Sequence, residues 1–167
     1  MYDEFRKAGY YPDNGQKEVN NMAILPYINF NGNCREAVEY YADVFGVEKP
    51  KFMLYGDMPP DPEYPMSDDA KKLVMHTNLM IQGTMVMFSD VPPGMPFVAG
   101  NNVSLTVVSP DIEEIKRLYE LLKAGGEVQM ELQETFWSKS YGFVVDKYGI
   151  GWQLSHDTGS YSASKAI

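Results

Sequence analysis

The chain has 167 residues, of which 44% are hydrophobic, and its formal net charge is −9 at pH 7. This length and composition are typical of one globular domain with a substantial core. The acidic balance and the absence of any basic stripe argue against nucleic-acid binding, which needs Lys and Arg to neutralise phosphates. No apolar run approaches the ~20 residues of a membrane helix, and no signal pattern is present, so we expect a cytoplasmic protein with no membrane partner.

The two ends of the chain differ in composition from its middle. Residues 1–21 are polar, contain Gly and Pro, and follow no sustained period, which predicts an N-terminal extension. Residues 22–157 are predicted to form a single domain. The Ser-rich residues 158–167 are predicted to be a frayed C-terminal tail.

The first half of the domain, residues 24–90, predicts a strand, a helix and further strands. Alternating apolar residues predict a strand over 24–30. Asn33 and Glu36 form a capping-box-like pair at the start of a helix, and the apolar positions 37, 38, 41, 44 and 45 form its buried stripe. Cys34, the single cysteine, is interpreted as a small residue in the first turn rather than a nucleophile, because no His lies near it in sequence. Gly46 is predicted to end the helix.

The remainder of this half is predicted to contain a short strand, a loop and a hairpin. A short strand covers 52–55, and residues 56–72, rich in Pro and Asp, are predicted to form a long loop. Residues 73–81 and 84–89 are predicted to form a hairpin that turns at Gln82-Gly83. Residues 91–100 are predicted to link the two halves.

The second half, residues 101–156, predicts the same order of elements. A strand over 102–108 leads to Ser109 as helix N-cap, with Pro110 in the first helical position. Gly125-Gly126 is predicted to end this helix. Its inward positions are Ile112, Ile115, Leu118, Leu121 and Leu122, and the strands that follow cover 127–133, 142–146 and 150–156.

The two halves form a repeat. Shifting the first by 77 positions places Val38 on Ile115 and Tyr41 on Leu118 in the two helices. The pattern is βαβββ twice, which predicts an α+β fold. Because one such unit cannot bury its apolar face alone, two units are expected to pair, with a ligand groove between them.

Local motifs carry a family resemblance over residues 24–156. PYINFNGNCREAVEYYADVFG (26–46), MHTNLMIQGTMVMFSD (75–90), NNVSLTVVSPDIEEI (101–115) and QETFWSKSYGFVVDKYGIGWQLSH (133–156) resemble the PhnB-like branch of the vicinal oxygen chelate superfamily, which includes glyoxalase I and bleomycin-resistance proteins. The resemblance implies two tandem βαβββ modules whose curved mixed sheets surround a cavity, and a homodimer. Some members carry the name 3-demethylubiquinone-9 3-methyltransferase, but this sequence has no strand, glycine loop and helix of the usual methyltransferase kind.

The resemblance also implies where a divalent metal would bind. The corresponding positions are Pro26, Met87, Asn102 and Gln153. Only Gln153 is a plausible ligand, and His76 is a second weak candidate. Most of the family's ligand positions are therefore lost, and no cofactor is predicted, with a divalent metal left as an open alternative.

Five residues are predicted to bind a ligand. His76 and Asn78 share one face of a strand by their period of two, although a surface or hydrogen-bonded histidine is an equal alternative. Trp137 and Tyr141 are predicted to stack on a ligand beside Gln153, with a rigid aromatic cap as the structural alternative for Trp137. Lys139 is expected to face solvent, and Trp152 is expected to lie in the core.

The sequence therefore predicts a PhnB-like protein that binds an unidentified small molecule, with no catalytic residue assigned. Two alternatives stay open. One is a metal-dependent lyase or isomerase of the glyoxalase type that uses Gln153 and His76. The other is a drug-sequestering resistance protein, which only the net charge of −9 supports.

Overall fold

The computed structural model describes residues 23–63, 65–157 and 159. The predicted extension 1–21 lies outside these residues, as does the predicted tail 158–167 apart from Gly159. The chain divides into two compact units, and the division falls between Phe97 and Val98. In the described part of the chain, no helix is both long and apolar enough to span a bilayer.

The first unit contains one four-stranded mixed sheet. Its strand order is β1-β4-β3-β2, with β1 parallel to β4 and the other neighbours antiparallel. The main elements are β1 (Tyr27–Phe30), α1 (Cys34–Phe45), β2 (Met53–Leu54), a 3-10 turn (Tyr55–Asp57), α2 (Asp68–Lys72), β3 (Val74–Ile81) and β4 (Thr84–Asp90).

The second unit repeats this topology. Its elements are β5 (Leu105–Ser109), α3 (Ile112–Lys123), β6 (Glu127–Gln133), β7 (Tyr141–Val145) and β8 (Gly151–His156). The strand order β5-β8-β7-β6 matches that of the first unit, and again the first strand runs parallel to the last. The prediction of a duplicated βαβββ pattern in an α+β fold is therefore confirmed.

In the first unit α1 packs on one face of its sheet. The predicted stripe is buried, since Val38 and Tyr41 are fully inaccessible to solvent, and the Tyr41 ring stacks on Phe88 of β4 at 5.9 Å. Gly46 ends the helix in the left-handed conformation at φ 64°. Burying such a stripe supplies most of the stability of a short helix.

In the second unit α3 packs on its sheet in the same way, with one correction to the predicted stripe. Leu121, predicted to point inward, is 39% exposed, whereas Tyr119 is buried. The Tyr119 ring lies against Gly142 of β7, where an added Cβ would come within 2.8 Å of it. A glycine on the sheet thus makes room for a tyrosine on the helix, which turns the buried face of α3 toward Tyr119.

The starts of the two helices differ from prediction. The Asn33 side chain makes no capping hydrogen bond, so the predicted capping box is wrong. Instead the buried carboxylate of Asp90, at the end of β4, accepts hydrogen bonds from the backbone N–H groups of Gly32 (2.8 Å) and Cys34 (3.0 Å). In the second unit the N-cap is Asp111, whose carboxylate accepts hydrogen bonds from the backbone N–H groups of Glu113 and Glu114. The predicted cap, Ser109, belongs to β5. A carboxylate satisfies the helix N-terminus in both cases.

Two connections in the first unit also bear on the predictions. The predicted loop 56–72 contains the short helix α2, for which Ser67 accepts a capping hydrogen bond from the Ala70 N–H, so this part of the prediction is wrong. The predicted hairpin is confirmed. Gln82 and Gly83 both have positive φ, 47° and 80°, as a type I′ turn requires.

Candidate functional site

Each sheet has one face that its helix covers and one that it does not, and we call the second the helix-free face. In the first unit, the registers place Tyr27 of β1 beside Met87 of β4 and Asn78 of β3, and Asn29 beside Ser89. These residues alternate with the buried positions that contact α1. The predicted residues His76 and Asn78 therefore lie on the helix-free face of the first sheet.

A tyrosine and a histidine meet on this face. The Tyr27 hydroxyl lies 3.1 Å from His76 Nδ1, and the two rings are 5.9 Å apart. Burial raises the pKa of Tyr27 and lowers the pKa of His76. Both groups are therefore neutral at pH 7, and the contact is a hydrogen bond between neutral rings rather than an ion pair. Sequence reasoning missed Tyr27, because the contact crosses β4 and depends on the strand order.

A second hydrogen bond lies on the same face. Ser89 Oγ donates to Asn29 Oδ1 over 2.9 Å. Met85 and Met87, which share the face by register, are both half-buried. The helix-free face of the first sheet thus combines polar groups with flexible thioether side chains, a combination that suits an adaptable contact surface.

In the second unit, Tyr141 and Gln153 are brought together on the helix-free face. The Tyr141 hydroxyl donates to Gln153 Oε1 over 2.8 Å, and Gln153 Nε2 donates to Ser104 Oγ over 2.7 Å. We call these three residues the Tyr141–Gln153–Ser104 relay. Ser104 was not predicted, since nothing in its own sequence context distinguishes it. Trp152, beside Gln153 in sequence, points to the other face and is buried, as expected.

Trp137 lies beside this relay in the connection between β6 and β7. Its ring meets Tyr141 edge-on at 5.4 Å between centroids and Phe136 at 4.5 Å. Trp137 is 50% exposed and Phe136 is 97% exposed, so two large aromatic side chains present surface to solvent. We call these two residues the exposed aromatic pair. Lys139 is exposed, as predicted.

The backbone that carries the exposed aromatic pair is held in place by a buried serine. The single O–H of Ser138 is shared between the carbonyl oxygens of Ser140 (Oγ–O distance 2.9 Å) and His156 (3.0 Å). The Ser138 carbonyl in turn accepts from the Thr135 N–H over 2.9 Å. Exposed aromatic side chains on a fixed backbone are expected to bind with a small entropic cost, because little ordering is left to occur.

Cys34 does not belong to a reactive site. It is fully buried, and burial raises the pKa of its thiol, with a further contribution from the neighbouring carboxylate of Asp90. The thiolate needed for nucleophilic chemistry is therefore disfavoured. This agrees with its interpretation as a small helical residue.

The residues at the implied metal positions do not fit a divalent metal. Pro26 has no donor side chain, and its carbonyl accepts a hydrogen bond from the Met87 N–H. Gln153 Oε1 already accepts from Tyr141, and His76 Nδ1 is engaged by Tyr27. Within residues 23–63, 65–157 and 159, no group of three or more His, Cys, Asp or Glu side chains converges. Thioether and amide groups are poor substitutes for the imidazole and carboxylate ligands of such sites.

Comparison with known proteins places this fold in a family. The chain is 33% identical to the protein YjdN of Escherichia coli K12 over 141 residues, which is 80% of this chain and 95% of that protein. The crystal structure of PA1353 from Pseudomonas aeruginosa is 33% identical and covers 82% of this chain and 98% of its own, with a TM-score of 0.72. A PhnB protein from Bacillus cereus is 26% identical, with coverage of 81% and 99% and a TM-score of 0.63.

More distant structures share the fold alone. A glyoxalase-related enzyme from Fulvimarina pelagi is 16% identical, with coverage of 81% and 89% and a TM-score of 0.51. The fosfomycin resistance protein FosX from Listeria monocytogenes is 11% identical, with coverage of 84% and 96% and a TM-score of 0.52. Residues 22–155 match the family described as 3-demethylubiquinone-9 3-methyltransferase. Because this match covers most of the chain, the chain belongs to this PhnB-type family, and its duplicated βαβββ topology agrees with that.

Proposed function

We propose that the protein binds a small molecule on the helix-free face of its second sheet. The observation that carries this proposal is the exposed aromatic pair, Phe136 and Trp137, held beside the Tyr141–Gln153–Ser104 relay. Binding sites combine apolar surface with a few placed polar groups, and this arrangement supplies both. The Tyr27–His76 contact on the first sheet offers a second polar cluster of the same kind.

Neither of the alternatives from the sequence gains support. A glyoxalase-type lyase or isomerase needs metal ligands that the residues at the implied positions do not supply. Drug sequestration has only the net charge of −9 in its favour. Methyl transfer, which the family description names, also gains no support, because this sequence has no glycine loop of the usual methyltransferase kind between a strand and a helix.

Co-purified molecules provide the test. We expect a methanol extract of the purified protein, analysed by mass spectrometry, to contain a small molecule that the Trp137→Ala variant retains in much smaller amount. Because Trp137 is half exposed, the variant should lose less than about 1 kcal/mol of unfolding free energy. Its melting temperature, measured in parallel, separates lost binding from lost fold.

A matched control is available in the first unit. Phe97 is an exposed aromatic residue, 39% accessible, and is not one of the residues that form the proposed site. Phe97→Ala should leave the co-purified molecule unchanged. If Trp137→Ala retains the molecule in full while losing stability, Trp137 is a structural residue and the proposal is wrong. If the wild-type extract is empty and no aromatic fragment from a screen binds, the proposal is also wrong.

A further inference from the structure

The hydrogen bonds of the relay run in one direction in this structure. The side-chain oxygen of Gln153 can only accept a hydrogen bond and its nitrogen can only donate. Since Gln153 Oε1 faces the Tyr141 hydroxyl, the tyrosine must donate. Since Gln153 Nε2 faces Ser104 Oγ, the serine must accept. The direction runs from Tyr141 through Gln153 to Ser104.

This direction leaves a donor at the end of the relay. Among the described residues, Ser104 Oγ takes part in one hydrogen bond, the one it accepts from Gln153. With one of its two lone pairs engaged by Gln153, Ser104 still has its own O–H to donate. The second N–H of Gln153 adds another donor. The relay therefore presents hydrogen to a ligand, and a half-buried donor of this kind is matched by an acceptor oxygen.

The surroundings favour an uncharged acceptor. No charged residue is placed on the helix-free face by β5, β7 or β8, whose registers align Thr106, Gln153 and Phe143 there. Glu127 of β6, which pairs with Val145, shares this face and adds negative charge. The protein as a whole carries −9. A carboxylate or phosphate at Ser104 would meet no counter-charge from these strands. The cation in the connection before β7, Lys139, is exposed, so solvent screens its charge.

The apolar part of the ligand is specified by the neighbouring rings. Tyr141 connects the two features, because its ring meets Trp137 and its hydroxyl meets Gln153. One tyrosine ring thus separates the relay from the exposed aromatic pair. We therefore expect a flat molecule of one or two fused rings to lie along Tyr141 and contact both.

We infer that the second sheet binds an uncharged aromatic carbonyl compound, whose oxygen accepts from Ser104 and whose ring packs against Trp137. This inference rests on the proposed function and specifies its ligand class. The relay would recognise a ketone, aldehyde, lactone or amide oxygen by one shared property, a neutral acceptor on a flat apolar body.

Three probes with one ring system test the class. They are 2-acetylnaphthalene, which has a neutral carbonyl, 2-ethylnaphthalene, which lacks the oxygen, and 2-naphthoate, which is charged. We expect 2-acetylnaphthalene to bind about tenfold more tightly than 2-ethylnaphthalene, the value of one net hydrogen bond, and 2-naphthoate to bind more weakly than the ketone. Ligand-observed NMR titration in the presence of EDTA measures all three.

The decisive variant is Gln153→Glu, which keeps the shape of the side chain and reverses the relay. A carboxylate only accepts, so Ser104 must turn its O–H inward to the new Glu oxygen. The outward donor disappears although the serine is still present. Gln153→Glu and Ser104→Ala should both abolish the tenfold preference for the ketone, while binding of 2-ethylnaphthalene stays unchanged. Ser155→Ala, a serine change on the same sheet face but outside the relay, should keep the preference.

The outcomes separate this inference from the proposed function. Equal affinity for the ketone and the hydrocarbon, or a Gln153→Glu variant that keeps the preference, overturns the carbonyl inference. If Trp137→Ala then still weakens every probe, the proposed function stands without it. If none of the probes binds, the inference fails as well, and the mass spectrometry of co-purified molecules decides the proposed function independently.

Discussion

The two units share one topology but secure it in different ways. Both place a buried carboxylate where three N–H groups converge. In the first unit Asp90 accepts from Gly32, Cys34 and Val74, which lie 58, 56 and 16 positions away. In the second unit Asp146 accepts from the backbone N–H groups of Tyr148 and Ile150, two and four positions on, and from the Trp152 indole. One carboxylate joins distant elements, and the other shapes a local turn.

The helix-free faces differ more than the helix-covered faces do. The registers align Phe88 of β4 with Trp152 of β8, and both are buried against their helices. By the same registers His76 corresponds to Phe143 on the opposite face. The comparison teaches that the two units share the packing that each needs to fold, while the positions on the helix-free face differ.

The largest effect is expected from the carboxylates. Asp90→Asn replaces one acceptor oxygen by a donor that opposes buried N–H groups, and we expect a loss of about 3 kcal/mol in unfolding free energy. Asp146→Asn should cost about 1.5 kcal/mol, because its turn can relax locally. Urea unfolding followed by circular dichroism measures both.

The same experiment shows whether the units unfold together. Both tryptophans of the chain, Trp137 and Trp152, lie in the second unit, so their fluorescence reports on that unit alone. If Asp90→Asn shifts the circular dichroism transition but not the fluorescence transition, the units unfold separately. Equal losses for the two Asn variants would contradict the distinction between a joining and a local carboxylate.

What the sequence could predict follows from how local each interaction is. The turn at Gln82-Gly83 and the stripe of α1 depend on neighbours within a few residues, and both were predicted. The capping role of Asp90 was not, because its partners lie in other elements and nothing near Asn33 signals them. Leu121 was misplaced because the period of a helix gives the stripe but not the local fit that Gly142 allows Tyr119.

The candidate site divides along the same line. Gln153, Trp137 and Tyr141 were chosen from residue type and family motif, and the structure brings these three together. Ser104 and Tyr27 escaped, because their roles come from strand pairing across the sheet. Sequence pattern found the residues with unusual chemistry, and only the register found their partners.

An intermediate effect is expected where the helix stripes diverge. Val44 in α1 and Leu121 in α3 occupy equivalent positions of the repeat, but Val44 is 3% exposed and Leu121 is 39% exposed. Val44→Ala removes two buried methyl groups and should cost about 2 kcal/mol. Leu121→Ala removes more atoms and should still cost less than about 1 kcal/mol. Thermal unfolding of the two variants checks this, and a larger loss for Leu121→Ala would show that α3 packs as α1 does.

The smallest effect is expected from the pair His76 and Phe143, and it concerns pH. Burial lowers the pKa of His76 from its ordinary value of 6.5, so the unfolded chain binds a proton more readily than the folded chain. The contribution of His76 to stability is therefore complete above that value and is lost as the pH falls below it. Tyr27, its hydrogen-bond partner, has a raised pKa and does not titrate in this range.

His76→Phe gives the first unit the residue that the second has at this position. Between pH 7.5 and 5, we expect the unfolding free energy of this variant to fall less than that of the wild type, whatever its value at pH 7.5. This range brackets the ordinary histidine pKa of about 6.5. The loss of the Tyr27 hydrogen bond lowers the unfolding free energy at pH 7.5, but the change in its pH dependence comes from the removal of the titrating imidazole. The reciprocal variant Phe143→His, at a half-buried position, should steepen the decline of the second unit, read by tryptophan fluorescence. An unchanged slope in His76→Phe would mean that this ring titrates alike in the folded and unfolded chains.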